Sequence, residues 1–451
     1  MEEKMKKYLA LALLTVVGLT LAGEFVFPSN NTAWNVYYER QARAAYFNSG
    51  IPENDSLSYL GRLSTFVPGY LTMKAGFLKM TGLEFNIESD LIFKIITNVS
   101  IALSAFYLSS RAKLEPRVTM VFFLGVLTQN FMLLWIFGYS AHMLGLSLFF
   151  FALGYSMGKH RTIVLAAIVA ISGLMHSSYL IAYPFLAFVM NDKARLKETA
   201  RTAALAGLIF LVFYSPVLLR AGLPYEIKAT EWGYGITGSA GAFIGYLLLW
   251  TAPVLLALYK AIQNQAHARM RNLILILTAV FLFGTYRVNV FMGILLVFLT
   301  AVIFRNDILR SRKFYYLLIA LGLLNVASIF YFNYGISSHG QNGAFNEWTE
   351  RPLFFLGGVP GDRVVSDPYY GHAIAYYTNK KVLADLYVEY ANEQKYDDAM
   401  SFVKGDLRVI SKYNITGALF DNKTNSNGVP VVFTNGYFSV GAPVFQKKHV
   451  T

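Results

Sequence analysis

The chain has no cysteine and few charged residues among its 451 positions. Without cysteine it forms no disulfide, uses no thiolate nucleophile and holds no Cys-ligated metal. Charged residues make up 14% of the chain, whereas soluble domains carry roughly 25%. Hydrophobic residues make up 55%, and the mean hydropathy is +0.43. The scarcity of charge therefore predicts an α-helical polytopic membrane protein.

The charges that are present are unevenly placed. The formal net charge is +13, which in a soluble protein would favour a nucleic-acid partner. Here lysine and arginine concentrate in short stretches between apolar spans, as they do in the cytoplasmic loops of membrane proteins. We therefore expect no nucleic-acid partner. The basic clusters lie at 111–117, 159–161, 193–201, 260–271 and 305–313.

The first apolar span, residues 8–23, follows Lys4, Lys6 and Lys7, which predicts a cytoplasmic N-terminus. Leu21-Ala22-Gly23 resembles the small-residue site of a cleaved signal peptide, which is the alternative interpretation. Further spans follow, and the segment is long for the apolar region of a signal peptide. We therefore expect a retained span in a multi-pass protein of the cell membrane.

The spacing of the basic clusters predicts how the chain crosses the membrane. If every cluster is cytoplasmic, the chain between two clusters crosses an even number of times. Two stretches, 162–190 and 272–304, are too long for one crossing of about 20 residues and too short for two. Their halves of about 14–16 residues reach only about 21–24 Å as helices, against a hydrocarbon core of about 30 Å. We therefore predict short hairpins that turn below the outer interface at 173–176 and 284–287, around a recessed outward-facing cavity.

The spans also predict two domains. With a last span at 314–332 the count is about eleven, so residues 1–333 form a transmembrane domain that includes a first outer loop, 24–90. Residues 334–451 change character and predict a small C-terminal extracytoplasmic α/β domain. Its predicted elements are strands at Arg363–Asp367, Lys381–Asp385 and Ile415–Asp421 and a helix at 397–412.

The first outer loop carries more charge than a tether between two spans needs, with seven carboxylates and five cations. Glu24 follows the first span directly, and Glu39 lies on a predicted helix at Ala33–Asn48. Asp55 lies in a turn bounded by glycine and proline. Each of these three carboxylates is a candidate general base that takes a proton from an acceptor hydroxyl. The alternative for each is an ordinary ion pair on a solvated surface.

Other ionisable side chains are predicted at the outer turns of the spans. Arg287, preceded by Tyr286, lies at the turn of a short hairpin, where a guanidinium suits a lipid phosphate. The alternative is an arginine that extends to the membrane interface. His142 and His176 lie at two other turns and either bind substrate or phosphate or are structural. No His-x-x-His or Glu-x-x-His pair occurs, which disfavours a metal site, although a divalent cation such as Mg²⁺ or Mn²⁺ stays open.

The first loop contains an ordered set of short motifs. A Tyr-Tyr-x-Arg helix at Tyr37–Arg40 precedes a Gly-x-Pro turn at Gly50–Pro52 and a Ser-Tyr-x-Gly-Arg box at Ser58–Arg62. Pro68-Gly69-Tyr70 then leads into an amphipathic segment that ends at Thr81-Gly82. This order resembles the GT-C superfamily of membrane glycosyltransferases. The likeness is closest to prokaryotic, especially archaeal, relatives of the protein mannosyltransferases and of the oligosaccharyltransferase catalytic subunit.

The resemblance implies a polyprenyl-phosphate-linked sugar as donor and an acidic first-loop residue as base or metal ligand. It also implies that Arg287 contacts the lipid phosphate and that the box beginning at Asp55 brings Arg62 to the substrate. The early aspartate of the family, two residues before the tyrosine pair, falls on Asn35 here. An asparagine can bind substrate but cannot act as a base, so that role passes to Glu24 or Glu39.

Two further departures from the family's pattern narrow the expected function. The outer Asp-x-Asp of metal-dependent oligosaccharyltransferases is replaced by Tyr139–His142, and Asp367–His372 only loosely echoes their Trp-Trp-Asp-Tyr-Gly signature. We therefore expect transfer of one sugar from a polyprenyl (dolichyl-type) phosphate to a glycan, lipid or protein acceptor on the outer face, with inversion. The alternatives are a transporter or flippase of a lipid-linked or anionic solute, and an oligosaccharyltransferase or polymer-ligase-like enzyme.

Overall fold

The computed structural model of the chain describes most of its residues as helix. The described residues are 2–26, 33–48, 54–55, 57, 62–63, 69–129, 140–158, 160–190, 195–221, 247–263, 268–283, 288–338, 347–385, 393–421 and 428–443. A five-stranded sheet occurs near the C-terminus. The predicted helical protein with a small C-terminal α/β domain is thereby confirmed in outline.

The N-terminal third contains the first outer loop between two long helices. In chain order its elements are α1 (Glu2–Val26), α2 (Ala33–Phe47), the strands β1 (Asn54–Asp55) and β2 (Arg62–Leu63), α3 (Gly69–Thr81) and α4 (Ile87–Arg111). The predicted helix at Ala33–Asn48 is confirmed as α2. Within the described part of the chain, two helical stretches are long and apolar enough to span a membrane, Glu3–Glu24 and Glu88–Arg111. The count of about eleven spans therefore stays a prediction.

The middle of the chain continues as helices of varied length. They are α5 (Pro116–Leu127), α6 (Ser140–Ser156), α7 (Thr162–Met175), α8 (Ser177–Met190), α9 (Leu196–Ala221), α10 (Thr251–Gln263, after a 3₁₀ turn at Leu248–Trp250), α11 (Ala268–Phe283), α12 (Val288–Ile303), α13 (Arg305–Arg310) and α14 (Arg312–Ser338). One continuous hydrophobic cluster joins side chains of α1 with those of α4 through α14. Buried polar groups hold the helices in register, as Asn325 does when its amide donates to the Leu247 carbonyl at 3.1 Å.

The two predicted hairpins have the short helices that their sequence lengths required. α7 and α8 each contain 14 residues, which is about 21 Å of helix. They are separated at His176, whose backbone is extended with φ −160° and ψ 123°, so the break predicted at 173–176 is confirmed. α11 and α12 have 16 residues each. Their connection, 284–287, lies outside the described residues, and the recessed cavity stays a prediction.

The C-terminal domain packs helices around its sheet. Its elements are α15 (Glu347–Gly358), β3 (Arg363–Val365), α16 (Pro368–Thr378), β4 (Lys381–Val382), α17 (Glu393–Val403), α18 (Arg408–Lys412), β5 (Gly417–Asp421), β6 (Val431–Thr434) and β7 (Phe438–Gly441). The strand order is β4-β3-β5-β7-β6, with the first three strands parallel and the last two antiparallel to their neighbours. The three predicted strands are present in shortened form.

One element of this domain was predicted wrongly. The sequence favours a single helix at 397–412, but the structure has two, α17 and α18. Gly405 lies between them with φ +102°, a left-handed conformation that glycine adopts readily and that ends a helix. The β6–β7 hairpin was not predicted either.

The C-terminal domain rests on the first outer loop. Helix α16 packs directly on α2. Leu57, between β1 and β2, packs into the hydrophobic core of the C-terminal domain. Its carbonyl accepts a hydrogen bond from the Val382 amide of β4 at 3.0 Å. The loop therefore extends the sheet edge, and the two parts of the molecule are coupled at this contact.

Candidate active site

Glu39 is the centre of a buried hydrogen-bonded group on α2. Its side chain is almost fully covered, with 6% of the residue exposed. Oε1 accepts a hydrogen bond from the Tyr70 hydroxyl at 2.7 Å, and Oε2 accepts one from the Lys74 ammonium. Tyr70 and Lys74 lie four residues apart on α3, so both side chains project from one helix face toward α2.

Lys74 bridges two carboxylates rather than one. Its ammonium also donates to Asp90, which lies in the first turn of α4. Asn86 caps that helix by accepting the Ser89 amide at 2.9 Å, which fixes where the first turn begins. Burial alone would favour the neutral amine, but Glu39 and Asp90 outweigh it and raise the pKa of Lys74. The buried lysine is therefore charged.

Burial leaves Glu39 with a more basic carboxylate than usual. Burial raises the pKa of Glu39 above its ordinary value of 4.5. The Lys74 ammonium opposes this shift, and the negative charge of Asp90 reinforces it. A carboxylate with a raised pKa accepts a proton more readily, which suits a general base.

Glu24 is held near the C-terminal end of α1 by a different lysine. It forms an ion pair with Lys94, four residues after Asp90 on α4. One turn further, the Asn98 amide donates to the Thr20 hydroxyl at 3.0 Å. Polar contacts therefore run along one face of α4 and fasten it to α1. A purely structural role accounts for the Glu24 contact.

His142 and His176, which the sequence places at two separate turns, lie side by side. Their ring centroids are 4.4 Å apart. The Tyr179 hydroxyl donates to the His142 carbonyl at 2.9 Å, and His176 Nδ1 lies 2.6 Å from the Ser178 hydroxyl. These contacts fix the His142 backbone at the start of α6 and the His176 ring at the break between α7 and α8.

The histidine pair and the Glu39 group belong to one region. Ser140, two residues before His142, lies within hydrogen-bonding reach of the Tyr70 hydroxyl. A small apolar cluster joins the same elements, and its members are Ala42, Tyr70, Leu71, Phe93, Ala141 and Met175. The structure thus brings Glu39, His142 and His176 to one end of the helices, although they are far apart in sequence.

The remaining sequence-predicted residues are placed only in part. Asp55 and Arg62 are direct partners in the antiparallel β1–β2 ladder, so their backbones lie side by side. Asn35 lies in the first turn of α2. Nothing is described for the side chains of these three residues. Tyr286 and Arg287 lie outside the described residues.

The C-terminal domain forms part of the surroundings of Glu39. Tyr376 lies on α16, the helix that packs on α2. Burial raises the pKa of the Tyr376 hydroxyl, and the negative charges of Glu39 and Asp90 raise it further. Because α16 packs on α2, which carries Glu39, the C-terminal domain lies beside the Glu39 group.

The described residues do not gather a metal site. No three His, Asp or Glu side chains among them lie close enough to hold one ion. The acidic residues of this region are instead paired with Lys74 and Lys94.

Four contributing residues were missed by the sequence reasoning: Tyr70, Lys74, Asp90 and Lys94. The sequence does carry one signal for these residues, because they form two pairs with i, i+4 spacing. The pairs are Tyr70 with Lys74 and Asp90 with Lys94. A lysine in the otherwise apolar run Gly69–Leu78 is also conspicuous. Nothing in the sequence shows that Lys74 meets Glu39, since that contact joins residues 35 positions apart.

Comparison with solved structures shows what kind of fold surrounds this region. The chain is similar to the oligosaccharyltransferase of Archaeoglobus fulgidus in the apo form, with TM-score 0.63 and 14% identity, over 92% of this chain and 69% of that one. It is also similar to ArnT from Cupriavidus metallidurans bound to undecaprenyl phosphate, with TM-score 0.57 and 11% identity, over 95% and 97% of the two chains.

A third solved structure adds a longer protein to the comparison. Mycobacterial arabinofuranosyltransferase AftD matches with TM-score 0.61 and 12% identity, over 97% of this chain and 40% of that one. All three are GT-C membrane glycosyltransferases, so the chain has the GT-C fold that its motifs suggested. No protein-family model matches the chain, and neither does any curated protein sequence.

Proposed function

We propose that the chain is a multi-pass membrane glycosyltransferase that moves one sugar from a polyprenyl phosphate to a glycan, lipid or protein acceptor on the outer face. The observation that carries this proposal is the buried carboxylate of Glu39 in a GT-C fold. Its pKa is raised, and Lys74 and Tyr70 donate hydrogen bonds to it. The donor class is supported by two structural neighbours, which were solved with dolichol phosphate and undecaprenyl phosphate.

The proposed reaction is a single displacement at the anomeric carbon. The acceptor hydroxyl oxygen forms the new bond to that carbon, and the carbon–oxygen bond to phosphate breaks. The bonding pair leaves with polyprenyl phosphate, and the configuration inverts. The hydroxyl proton passes to Glu39. Because Asp90 also contacts Lys74, the lysine keeps an anionic partner when Glu39 becomes neutral.

The departing phosphate needs positive charge where its own charge grows. We assign this role to Arg287, with Tyr286 beside it, and a supporting role in phosphate binding to His142 and His176. Arg62 and Asn35 are assigned to the sugar or acceptor. The ladder partner of Arg62 is Asp55, which together with Glu24 is the next candidate base.

A donor-consumption assay tests the proposal. Purified protein in detergent is supplied with dolichyl-phosphate and undecaprenyl-phosphate sugars and with a pyrophosphate-linked oligosaccharide, and released lipid phosphate is measured. Turnover of a monophosphate donor supports the proposal, because a transporter consumes nothing. Turnover of the pyrophosphate donor alone would replace it with an oligosaccharyltransferase or ligase. Movement of intact donor across vesicles without turnover would replace it with a flippase.

A further inference from the structure

Helix α15 of the C-terminal domain presents an apolar face outward. Leu353 and Leu356 are buried in the domain core. Arg351, Phe354 and Phe355 follow the i, i+3, i+4 spacing of a helix face and point away from that core. Phe354 has 79% of its surface exposed. Phe355 on the same face is 43% exposed, so the exposed apolar surface is a contiguous patch, which is typical of an interaction site.

The exposed face is one wall of a groove of about 600 Å³. Tyr377 of α16 and Val432 of β6 line the groove with Phe354 and Phe355, and each is more than 40% exposed. Gly357 and Gly358 also line the groove, and a Cβ added at either position would meet no atom within 4 Å. At these two glycines no side chain covers the helix backbone, and the groove is open there.

Specific contacts fix the positions of the residues that line the groove. Phe355 stacks on Phe433 with ring centroids 4.2 Å apart and an interplanar angle of 15°. The pairing of β6 with β7 shifts register between Val431 and Phe433, so Val432 is the extra residue of a β-bulge. Bulges redirect side chains, and Val432 lines the groove. The groove is thus part of the folded domain.

The position of α15 along the chain indicates which surface is near. α14 ends at Ser338, and only the eight residues 339–346 separate it from α15. Such a segment reaches at most about 30 Å, at about 3.3–3.6 Å per residue. α14 corresponds to the predicted last span, so α15 lies within reach of the membrane surface where that span exits.

The chemistry of the face matches a lipid interface. Exposed aromatic side chains with a cation, Arg351, on the same helix are typical of helices that lie in the headgroup region. The groove exposes mainly carbon and little polar surface, which suits a hydrocarbon chain and offers a sugar few hydrogen-bond partners.

We propose that α15 docks on the outer leaflet of the bilayer and that its groove takes one hydrocarbon chain of a membrane lipid. This inference rests on the membrane location in the proposed function and goes beyond the proposed reaction. It gives the C-terminal domain a second anchor besides α14, which would hold the domain over the first outer loop.

Spin labels test the docking in the full chain, because the absence of cysteine allows single labels without other changes. Phe354→Cys and Val432→Cys report on the groove, and Lys404→Cys is the exposed control elsewhere on the domain. Leu14→Cys, on the apolar stretch of α1, is the lipid reference. The protein is placed in nanodiscs of phosphatidylcholine and phosphatidylglycerol, and label relaxation by oxygen and by a water-soluble nickel chelate is measured.

Lipid docking predicts that labels at 354 and 432 resemble the label at 14, with several-fold higher oxygen-to-nickel ratios than the label at 404. Nickel access at 354 and 432 equal to that at 404 overturns the inference. Short-range coupling between labels on two copies of the chain would also overturn it, because this face would then be a protein interface. Shielding of the labels from both oxygen and nickel would overturn it as well. Nickel access at 14 as well would overturn the membrane location itself.

Discussion

The Leu57 carbonyl in the first outer loop accepts a hydrogen bond from the Val382 amide of the C-terminal domain at 3.0 Å, and the partly buried Leu57 side chain packs against that domain's core. This contact joins the strand hairpin that carries Asp55 and Arg62 to the domain whose α16 packs on α2. The two parts therefore act as one unit around Glu39, although the sequence separates Leu57 from Val382 by more than 300 residues.

Replacing Leu57 tests this coupling. Leu57→Ala should lower the free energy of unfolding of the C-terminal domain by about 2 kcal/mol, because a partly buried leucine loses its packing. Amide exchange should rise together at 54–63 and 381–385. Met80→Ala is the control, since Met80 is 90% exposed and should change neither region. Faster exchange at only one of the two segments would show that they are not coupled.

Lys74 tests the buried ion group. Lys74→Met should destabilise the protein by about 3–5 kcal/mol, because it leaves the Glu39 and Asp90 carboxylates without their shared cation. Lys74→Met combined with Glu39→Gln should recover part of that loss, since only one carboxylate then remains unpaired. The measurement is thermal unfolding in detergent. Strictly additive effects of the two substitutions would argue against a direct Lys74–Glu39 interaction.

The pKa of Glu39 predicts the pH dependence of turnover. The base must be ionised in the free enzyme, so kcat/KM should rise with pH through a pKa above 4.5. Asp90→Asn should move this acidic limb to lower pH, because it removes repulsion and leaves Lys74 to Glu39 alone. A limb that does not move in Asp90→Asn would exclude Glu39 as its origin.

The free energy of unfolding should fall as the pH rises at the alkaline end. The pKa of Lys74 is raised above its ordinary 10.5, so the stability that its charge provides is complete below that value. It is lost as the pH rises through the raised pKa. Unfolding curves for wild type and for Lys74→Met should therefore converge at alkaline pH. A constant difference between them up to the highest accessible pH would contradict the assignment.

Two kinetic constants, kcat and the KM for donor, distinguish the role proposed for Arg287 from that proposed for the histidines. Arg287→Gln should lower kcat by about 100-fold or more if the guanidinium stabilises charge that grows in the transition state. His176→Ala should mainly raise the KM for donor, by about tenfold for the loss of about 1.4 kcal/mol. Arg408→Gln, at an exposed ion pair on the outer domain, is the control and should change neither constant. Wild-type kcat in Arg287→Gln would remove it from the mechanism.

The sequence predicted those features that depend on local pattern. The length of the stretch 162–190 predicted a break near its middle, and the structure has that break at His176. The residue pattern of 33–48 predicted the helix α2, which carries Glu39. It did not predict that Lys74 and Asp90 surround Glu39, because that group forms only when α2, α3 and α4 come together. The docking of α16 on α2 is likewise a tertiary contact. The single helix predicted at 397–412 does not form, because Gly405 ends it in a left-handed conformation.

The most direct measurement of the central claim is the rate at which polyprenyl phosphate is released by Glu39→Gln and by Glu84→Gln. Glutamine keeps the size of Glu39: its amide oxygen can accept from Lys74, and its NH2 group can donate to the Tyr70 hydroxyl oxygen. Lys74 also keeps Asp90 as an anionic partner, so donor affinity and unfolding temperature should stay near wild type. Release should fall by about 100-fold or more in Glu39→Gln, in keeping with the loss of a general base. Glu84, an exposed carboxylate of the same loop, should be dispensable. Release at the wild-type rate by Glu39→Gln would contradict the account.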